Sequence, residues 1–255
     1  MIQTEGIFSG GSDIAAPIIG RDFSWTGGDG TYQVLDDGDG SWRIKFLSSG
    51  TFTPLKDVEI DAFLVGGGSA GCHGIKSSRG GNGGYTTTTK GIVLAAGTAC
   101  SVVIGAGGVY VAGSTPVGGA GGASSAFGVT ANGGSQVSYA GNGGAGGCGG
   151  ALARTTTASI PGGSDGGNGA SQGQGTTTRE FGEADGQLYS GGGGAYYTSA
   201  YHVDPGAGGG GGYSGSPQPG DPNTGGGGCG YNSNGASGSG GSGIVVIRKH
   251  KEAAA

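Results

Sequence analysis

An aromatic stretch between two glycine runs carries the side chains best suited to binding chemistry. Residues 196–202 read Tyr-Tyr-Thr-Ser-Ala-Tyr-His, which places three phenol rings and an imidazole close together. Exposed tyrosines offer a large contact face at low rotamer cost, which suits stacking on saccharides or on a protein surface. The stretch is our leading candidate for recognition. A role in capping the ends of neighbouring elements is at least as well supported for the same rings.

Further candidates for recognition lie in the other connectors between glycine runs, where aromatic, basic and amide side chains are concentrated. The full set is Arg154, Arg179, Phe181, Tyr189, Tyr196, Tyr197, Tyr201, His202, Asp204, Tyr213 and Gln218. The connectors 154–161, 176–190, 196–205 and 214–224 are expected to be surface loops because they are polar or marked by proline.

Signatures of catalysis and of metal binding are weak. The string G-x-S-x-G surrounds Ser69, Ser164 and Ser171, but a nucleophile elbow needs a strand before it and a helix after it, which these positions lack. No glycine run leads into the Gly-Lys-Ser/Thr of a phosphate-binding loop. Asp36 and Asp37 lie in a short Asp/Gly turn without the final glutamate of an EF-hand, which favours a hairpin turn. We therefore predict no catalytic residue, no metal site and no cofactor.

Glycine dominates the composition, with 70 of 255 residues, whereas 33% of residues are hydrophobic and 11% are charged. Average usage of glycine is about 7%, so a conventional apolar core must be small. Aperiodic glycine runs usually indicate disorder. Here the formal net charge is only −5 and strand patterns flank the runs, which favours an ordered structure.

Charge and hydropathy exclude several classes of protein. The 12 basic residues are scattered and the isoelectric point is near 5.0, which argues against nucleic acid as a partner. No apolar run approaches the roughly 20 residues that span a bilayer, and the first residues do not resemble a secretory signal. We expect synthesis in a cytoplasm, which favours free thiols over disulfides for the four cysteines.

Short strands are predicted where apolar residues alternate with polar ones between Gly/Asp turns. The clearest case is 41–47, where Trp42, Ile44 and Phe46 alternate with Arg43 and Lys45. The strands predicted in this way are 21–25, 31–35, 41–47, 58–65, 85–90, 92–94, 100–104, an added short strand at 125–129, and 243–248. Helix signals are almost absent.

The glycine runs between these strands predict a second kind of element. Glycine-rich backbone can form an extended threefold helix of the polyproline II type, here a polyglycine II helix, with no internal hydrogen bonds. Without Cβ atoms such helices can approach closely and bond to one another. We expect a bundle of these rods, and a bulky residue at a central glycine should destabilise it strongly. The glycines taken as central are Gly143, Gly146, Gly193, Gly210 and Gly227.

The predicted fold is mainly β plus irregular structure: a small sandwich-like or jelly-roll-like β-framework with an inserted bundle of polyglycine II helices and almost no α-helix. Residues 1–20 are expected to be an arm for attachment or oligomerisation. Residues 21–130 form the framework with the first rods, 131–242 the glycine bundle with its connectors, and 243–248 the closing strand. Residues 249–255 form a tail whose last four residues resemble a cloning remnant.

Several motifs in a fixed order resemble glycine-rich proteins encoded in phage and prophage structural modules. They include Trp-Arg-Ile-Lys-Phe-Leu at 42–47, Val-Val-Ile-Gly-Ala-Gly-Gly at 102–108 and Gly-Ile-Val-Val-Ile-Arg at 243–248, with further matches at 60–68, 85–89 and 125–128. The resemblance covers roughly residues 40–248. At the level of fold, the chain is also distantly similar to the glycine-rich domain of the anaplastic lymphoma kinase receptor family and to phage tail-fibre tip adhesins.

The resemblance implies a non-enzymatic virion protein, made in the host cytoplasm and associated with the tail or tail fibre. Loops at the ends of the rods would then bind a bacterial surface saccharide or outer protein. Other virion proteins would be its partners, and it would form a homo-oligomer, with a trimer favoured. The alternative is a purely architectural decoration or fibre-joining protein without receptor binding.

Overall fold

The computed structural model describes residues 16–38, 40–74, 76–112, 116–138, 144–155, 158–232 and 236–251. Over these residues the chain consists of β-strands and extended glycine segments, with a single 3-10 turn at Glu180–Gly182. The mainly-β prediction is confirmed. In the same part of the chain no helix is long and apolar enough to cross a membrane.

Nineteen strands are present in the described residues, most of them short. In chain order they are β1 Phe23–Trp25, β2 Tyr32–Gly38, β3 Ser41–Phe46, β4 Gly50–Pro54, β5 Val58–Val65, β6 Cys72–Gly74, β7 Ser77–Arg79, β8 Thr86–Leu94, β9 Cys100–Val103, β10 Tyr110–Val111, β11 Val117–Gly118, β12 Ser124–Ala126, β13 Val129–Ala131, β14 Val137–Ser138, β15 Leu152–Arg154, β16 Ala195–Thr198, β17 Tyr201–Val203, β18 Gly230–Tyr231 and β19 Ile244–Lys249.

Two antiparallel five-stranded sheets pack face to face as a sandwich. Their strand orders are β1-β4-β9-β12-β13 and β2-β3-β19-β5-β8. Aromatic rings from both sheets meet in the core, where Phe46 of the second sheet lies 4.7 Å from Trp25 and 5.6 Å from Phe52 of the first, measured between ring centroids. The expected sandwich-like framework is therefore present.

The strands β5 and β19 are buried on both faces, which explains the continuous apolar run at the end of the chain. Val245 and Ile247 face the sandwich core. Ile244 and Val246 point the other way, into a second cluster that includes Phe63. Because successive strand residues alternate between faces, a strand covered on both sides must be apolar throughout.

The glycine segments form rods with a threefold repeat of hydrogen-bond partners. Along residues 66–71 successive amides donate to three neighbouring segments in rotation, at N···O distances of 2.8–3.0 Å. The donor and acceptor pairs are Gly66 with Tyr85, Gly67 with Gly122, Gly68 with Gly241, Ser69 with Asn82, Ala70 with Gly119, and Gly71 with Gly238. A partner that returns every third residue is the signature of a threefold extended helix. The rod is a polyglycine II helix whose amides donate to three neighbouring segments, while the carbonyls of Gly67, Gly68 and Ser69 accept from the amides of Gly134, Gly108 and Gly228 in three others.

The same repeat runs along residues 80–84 and joins distant parts of the chain. Its backbone pairs are Gly80 with Ala151, Gly81 with Gly228, Gly83 with Cys148, and Gly84 with Gly225, while the amide of Asn82 donates to the hydroxyl of Ser69. Rods from both halves of the sequence are thus hydrogen-bonded into a single network, which we call the glycine lattice.

Three small sheets of three strands each lie among the rods, in the orders β10-β11-β14, β15-β7-β6 and β17-β16-β18. The strand β4 was not among the strands predicted from the sequence, and its last residue is Pro54. The pair 85–90 and 92–94 is one strand, β8, since Gly91 has φ +68° at a bulge opposite β5.

The predicted strand 125–129 was wrong in detail. It is a hairpin in which β12 and β13 pair across a two-residue turn at Phe127 and Gly128. Both turn residues have positive φ, 53° and 74°, as a type I′ turn requires. The ring of Phe127 packs edge-on against Phe52, with centroids 6.1 Å apart, so a core contact accompanies the unusual backbone.

Candidate binding surface

Three stacked rings, from Tyr196, Tyr213 and Tyr231, form what we call the tyrosine cluster. The rings of Tyr196 and Tyr213 are 3.7 Å apart between centroids and inclined by 15°. Tyr231 lies 5.8 Å from Tyr196 and 5.6 Å from Tyr213, again nearly parallel. All three side chains are half-buried, so part of each remains open to solvent. The cluster provides a partly exposed aromatic surface.

The small sheet β17-β16-β18 positions two of these rings and a histidine. Tyr196 on the central strand is directly opposite His202 of β17 and Tyr231 of β18. Directly opposite residues point to the same face of a sheet, so the three form a row. Tyr213 lies against this row from the following connector, stacked on Tyr196. The structure therefore brings together Tyr196, His202 and Tyr213, which the sequence had proposed separately.

Tyr231 was missed by the sequence analysis. It belongs to a strand of only two residues and has no alternating pattern around it. One signal is nevertheless shared by all three members of the cluster. Tyr196, Tyr213 and Tyr231 are each the first aromatic residue after a glycine run, separated from it by at most two residues. Since parallel or neighbouring rods end together, residues that follow them can meet in space.

A shallow open depression of about 380 Å³ lies beside Tyr213. Its floor is the glycine backbone of residues 210–212, and its polar side chains include Gln218 and Asp221. The side-chain nitrogen of Gln218 donates to the carbonyl and the hydroxyl of Ser216 at 2.9 and 2.8 Å, which holds the amide in place. An aromatic wall next to an amide and a carboxylate suits a polyhydroxylated ligand.

The hydroxyl of Tyr213 stays protonated at neutral pH. The pKa of Tyr213 lies above its ordinary value, first because of partial burial and then because of the hydrogen bond with Tyr231. A neutral phenol can both donate and accept a hydrogen bond. Tyr213 thus presents an uncharged hydroxyl together with its ring face.

The remaining candidates of the aromatic stretch have different environments. Tyr197 packs against a small alanine cluster with Val203 and is half-buried. Tyr201, His202 and Asp204 are exposed, and Nδ1 of His202 lies 3.1 Å from the carbonyl oxygen of Ser199.

Phe181 and Tyr189 are buried, which corrects their assignment as recognition residues. Phe181 is 4% exposed and Tyr189 is 1% exposed. Their rings lie 5.9 and 5.3 Å from the ring of Phe63, on the outer face of β5. The expectation that 176–190 is a surface loop was therefore wrong at the buried residues Thr178, Glu180, Phe181, Tyr189 and Ser190, which lie on either side of the more exposed residues 182–188. We call residues 176–190 the strap, because they cover an apolar sheet face that would otherwise meet water.

Buried polar contacts fasten the strap to the sheet. Glu180, whose side chain is 3% exposed, forms ion pairs with Arg43 at 2.5 Å and Lys45 at 3.3 Å. The hydroxyl of Tyr189 donates to Glu180 at 2.8 Å. Burial and the neighbouring carboxylate hold the pKa of Tyr189 well above its usual range.

The two predicted arginines lie in different places. Arg179 starts the central part of the strap, where it forms an ion pair with Asp165 at 3.3 Å and donates to the carbonyl of Gly186. Arg154 ends β15 and is half-buried.

The predicted structural glycines lie in the lattice where the structure describes them. A Cβ atom on any of them would come closer than 3.0 Å to a carbonyl oxygen of a neighbouring rod. The pairs of glycine and carbonyl are Gly146 with Gly83, Gly193 with Gly228, Gly210 with Gly192, and Gly227 with Gly81. Gly143 lies outside the described residues.

The four cysteines are free thiols, and burial raises the pKa of Cys72 to about 11 and of Cys229 to about 12. In the part of the chain that the structure describes, no group of three or more His, Cys, Asp or Glu side chains could hold a metal ion.

These observations define a β-sandwich protein whose second layer is a lattice of polyglycine II rods, with an aromatic surface on the connectors. A family model described as a glycine-rich domain matches residues 47–250. The chain belongs to this glycine-rich domain family, and the glycine-rich part of the resemblance is confirmed. No curated protein matches the chain at a significant level.

Proposed function

We propose that the chain is a tail-associated phage virion protein that binds a bacterial surface saccharide through the tyrosine cluster and the adjoining depression. The proposal assigns it binding and no catalytic step. It is made in the host cytoplasm and incorporated into the virion with other virion proteins, as a homo-oligomer.

The observation that carries the proposal is the stack of Tyr196, Tyr213 and Tyr231 beside the depression that contains Gln218. Aromatic faces contact the apolar faces of sugar rings, while phenol, amide and carboxylate groups bind hydroxyls. A partly exposed cluster of three rings is also large enough to act as a binding anchor.

The glycine lattice supports the same function by fixing the positions of these side chains. Tyr213 and Tyr231 follow rods whose amides are bonded to other rods, such as Gly211 to the carbonyl of Gly227 at 2.8 Å. A surface that is already ordered loses little conformational entropy on binding. Variable connectors on a rigid base are a common arrangement for recognition.

The test is adsorption of the purified, fluorescently labelled protein to a panel of intact bacteria and to their isolated surface glycans. Saturable binding is expected for the wild type. Tyr213→Ala should weaken it at least about tenfold because a stacking face is lost, a change that corresponds to about 1.4 kcal/mol. Tyr213→Phe is the matched control, since it keeps the ring and should retain affinity within about twofold.

Three results would contradict the proposal. Adsorption that Tyr213→Ala leaves unchanged would remove the cluster from recognition. Binding to no host, together with stoichiometric incorporation into purified virions, would favour the architectural alternative. Binding that survives removal of surface glycans but not of surface proteins would replace the saccharide by a protein receptor.

A further inference from the structure

Two arginines, Arg79 and Arg154, lie side by side on the small sheet β15-β7-β6. In the register of β7 and β15, Arg79 is opposite Leu152, and Arg154 is opposite Ser77. The two arginines are therefore diagonal neighbours on the same face, a relation that places Cβ atoms about 7–8 Å apart. Both side chains are half-buried.

Neither arginine has a counter-ion among the residues that the structure describes. The other four arginines, Arg21, Arg43, Arg179 and Arg248, each form an ion pair with a carboxylate. Within the described residues, Arg79 and Arg154 form no ion pair and no side-chain hydrogen bond. The Nε atom of Arg154 is buried and has no hydrogen-bond partner there, one of only three such side-chain atoms in that part of the chain.

This arrangement is unfavourable without a further group. Two like charges in a partly desolvated position repel each other, and burial together with the charge of Arg154 lowers the pKa of Arg79. Buried donors in native structures normally have a partner, which can be an ion. Guanidinium groups bind carboxylate and phosphate through paired, charge-assisted hydrogen bonds.

We propose that Arg79 and Arg154 form a binding site for an oxyanion, namely a phosphate or carboxylate group. The identity of the molecule that carries the anion rests on the proposed function, whereas the arginine site itself does not. Oxyanion oxygens accept hydrogen bonds from both guanidinium groups, and the bound charge offsets their repulsion.

The site adjoins the sheet that carries the tyrosine cluster. The backbone of Arg79 touches Gly230, where a Cβ atom would overlap the Arg79 carbonyl, and Tyr231 is the next residue. The two small sheets also pack together through Ala153 and Ala195. Because successive residues of a strand point to opposite faces, Arg154 lies on the face turned away from Ala153, and Tyr196 on the face turned away from Ala195. The arginine pair and the tyrosine cluster are therefore two separate surfaces.

The experiment measures the thermal midpoint of the full chain against inorganic phosphate, with ionic strength held constant by chloride. Phosphate should raise the midpoint saturably, because a ligand that binds the folded state stabilises it. Arg79→Gln and Arg154→Gln should each weaken phosphate binding at least about tenfold. Lys90→Gln, which removes an exposed charge on β8, is the matched control and should bind phosphate as the wild type does.

A second readout separates a binding site from a structural role. Without phosphate, Arg79→Gln and Arg154→Gln should melt no lower than the wild type, because each removes a repulsion. A lower midpoint in chloride for both variants would show that the arginines stabilise the fold directly and would overturn the proposal. The proposal would also be overturned if phosphate and chloride changed the thermal midpoint equally. The same holds if all three variants, including Lys90→Gln, lost phosphate binding to the same extent.

Sugar phosphates and uronic acids then identify the source, compared with neutral sugars of the same ring. Stronger binding of the acidic sugars, lost in the arginine variants, supports an acidic saccharide. Phosphate binding without any sugar preference supports the anion site and a free anion as its ligand, even where the saccharide function fails. Saccharide binding that depends on Tyr213 but not on either arginine, with no phosphate effect, overturns the anion site alone.

Discussion

At the scale of single residues, Asp61 shows how a buried charge is kept in this small core. Its side chain is fully buried and accepts from Nε of Arg248 at 3.0 Å, lies 2.5 Å from Nδ1 of His250, and accepts from the amide of Gly91. Arg248 also pairs with the half-exposed Glu183 at 2.6 Å. Burial alone would raise the pKa of Asp61, but these hydrogen bonds outweigh it and hold the pKa below its ordinary value.

This depressed pKa predicts a defined dependence of stability on pH. The unfolded value is about 3.9, so the contribution of Asp61 is complete above about pH 4 and is lost as the pH falls through the lower folded-state pKa. Asp61→Asn should lose about 3 kcal/mol at pH 7, because Arg248 is left without its buried partner. The difference from the wild type should shrink below about pH 4.

Urea unfolding at a series of pH values measures this difference. Asp29→Asn, at an exposed turn, is the control and should stay within about 0.5 kcal/mol of the wild type. A deficit in Asp61→Asn that is the same at pH 3 as at pH 7 would show that the charge of Asp61 is not what stabilises the fold.

Residue types predicted an aromatic surface at some positions but did not predict which tyrosines are buried. Tyr196 and Tyr213 do form an aromatic surface, whereas Tyr189, equally eligible by composition, is buried under the strap. The difference depends on which sheet face lies beneath each ring, and Phe63, which is at least 126 residues from these tyrosines in sequence, gives no local sign of it. Whether a distant strand buries a tyrosine cannot be read from the residues that surround that tyrosine in the sequence.

At the scale of elements, the strap covers the outer apolar face of the sheet that contains β5 and β19. Phe181 fills the gap between Phe63 and the guanidinium of Arg248, whose carbon lies 4.1 Å from the ring centroid. It holds this position with φ +55°, a backbone conformation that non-glycine residues adopt only when packing compensates. The strap should therefore depend strongly on this one ring.

Phe181→Ala should release the strap before the sandwich unfolds. The lost ring should cost about 3–5 kcal/mol, and trypsin should then cleave after Arg179 sooner than after Arg43, which lies in β3. Mass spectrometry of a native digest follows both sites. Val93→Ala, at a side chain 74% exposed, is the control and should be cleaved as the wild type is. Simultaneous cleavage after Arg179 and Arg43 would mean that the strap has no separate stability.

Strands with an alternating or continuous apolar pattern could be predicted from the sequence. Short strands that form only because neighbouring rods bring two backbones together could not. The strand with Trp42, Ile44 and Phe46 follows its alternation, and β19 follows its apolar run. The strands β6, β7 and β16–β18, of two to four residues, have no such pattern, because the rods on either side bring their backbones into register. The rods themselves were predictable as a class, since only glycine allows their close approach.

At the scale of the whole molecule, the sandwich and the lattice share continuous elements. Val65 at the end of β5 leads directly into the rod that begins at Gly66, and the last rod leads through Gly243 into β19. The amide of Gly243 donates at 2.8 Å to the carbonyl of Gly105, just after β9. Three central strands thus extend into rods, so the two layers should unfold together.

Gly193→Ala tests this coupling from the lattice side. Gly193 donates to the carbonyl of Gly81 at 2.8 Å and accepts from Ala151 at 2.9 Å, and a Cβ atom there would overlap Gly228. Separating the rods should cost at least about 3 kcal/mol, which corresponds to a midpoint lower by roughly 6–12 °C for a chain of this size. Gly212→Ala is the control, because its Cβ would meet only the ring of Pro205 at 3.3 Å.

The two tryptophans, Trp25 and Trp42, both lie in the sandwich core, so their fluorescence reports that layer alone. Hydrogen exchange of the amides in residues 191–194 reports the lattice. If the layers are one cooperative unit, Gly193→Ala lowers the fluorescence midpoint and the exchange protection by the same free energy, and Gly212→Ala changes both little. A fluorescence midpoint that stays at the wild-type value while the rod amides lose protection would show that the sandwich folds without its lattice.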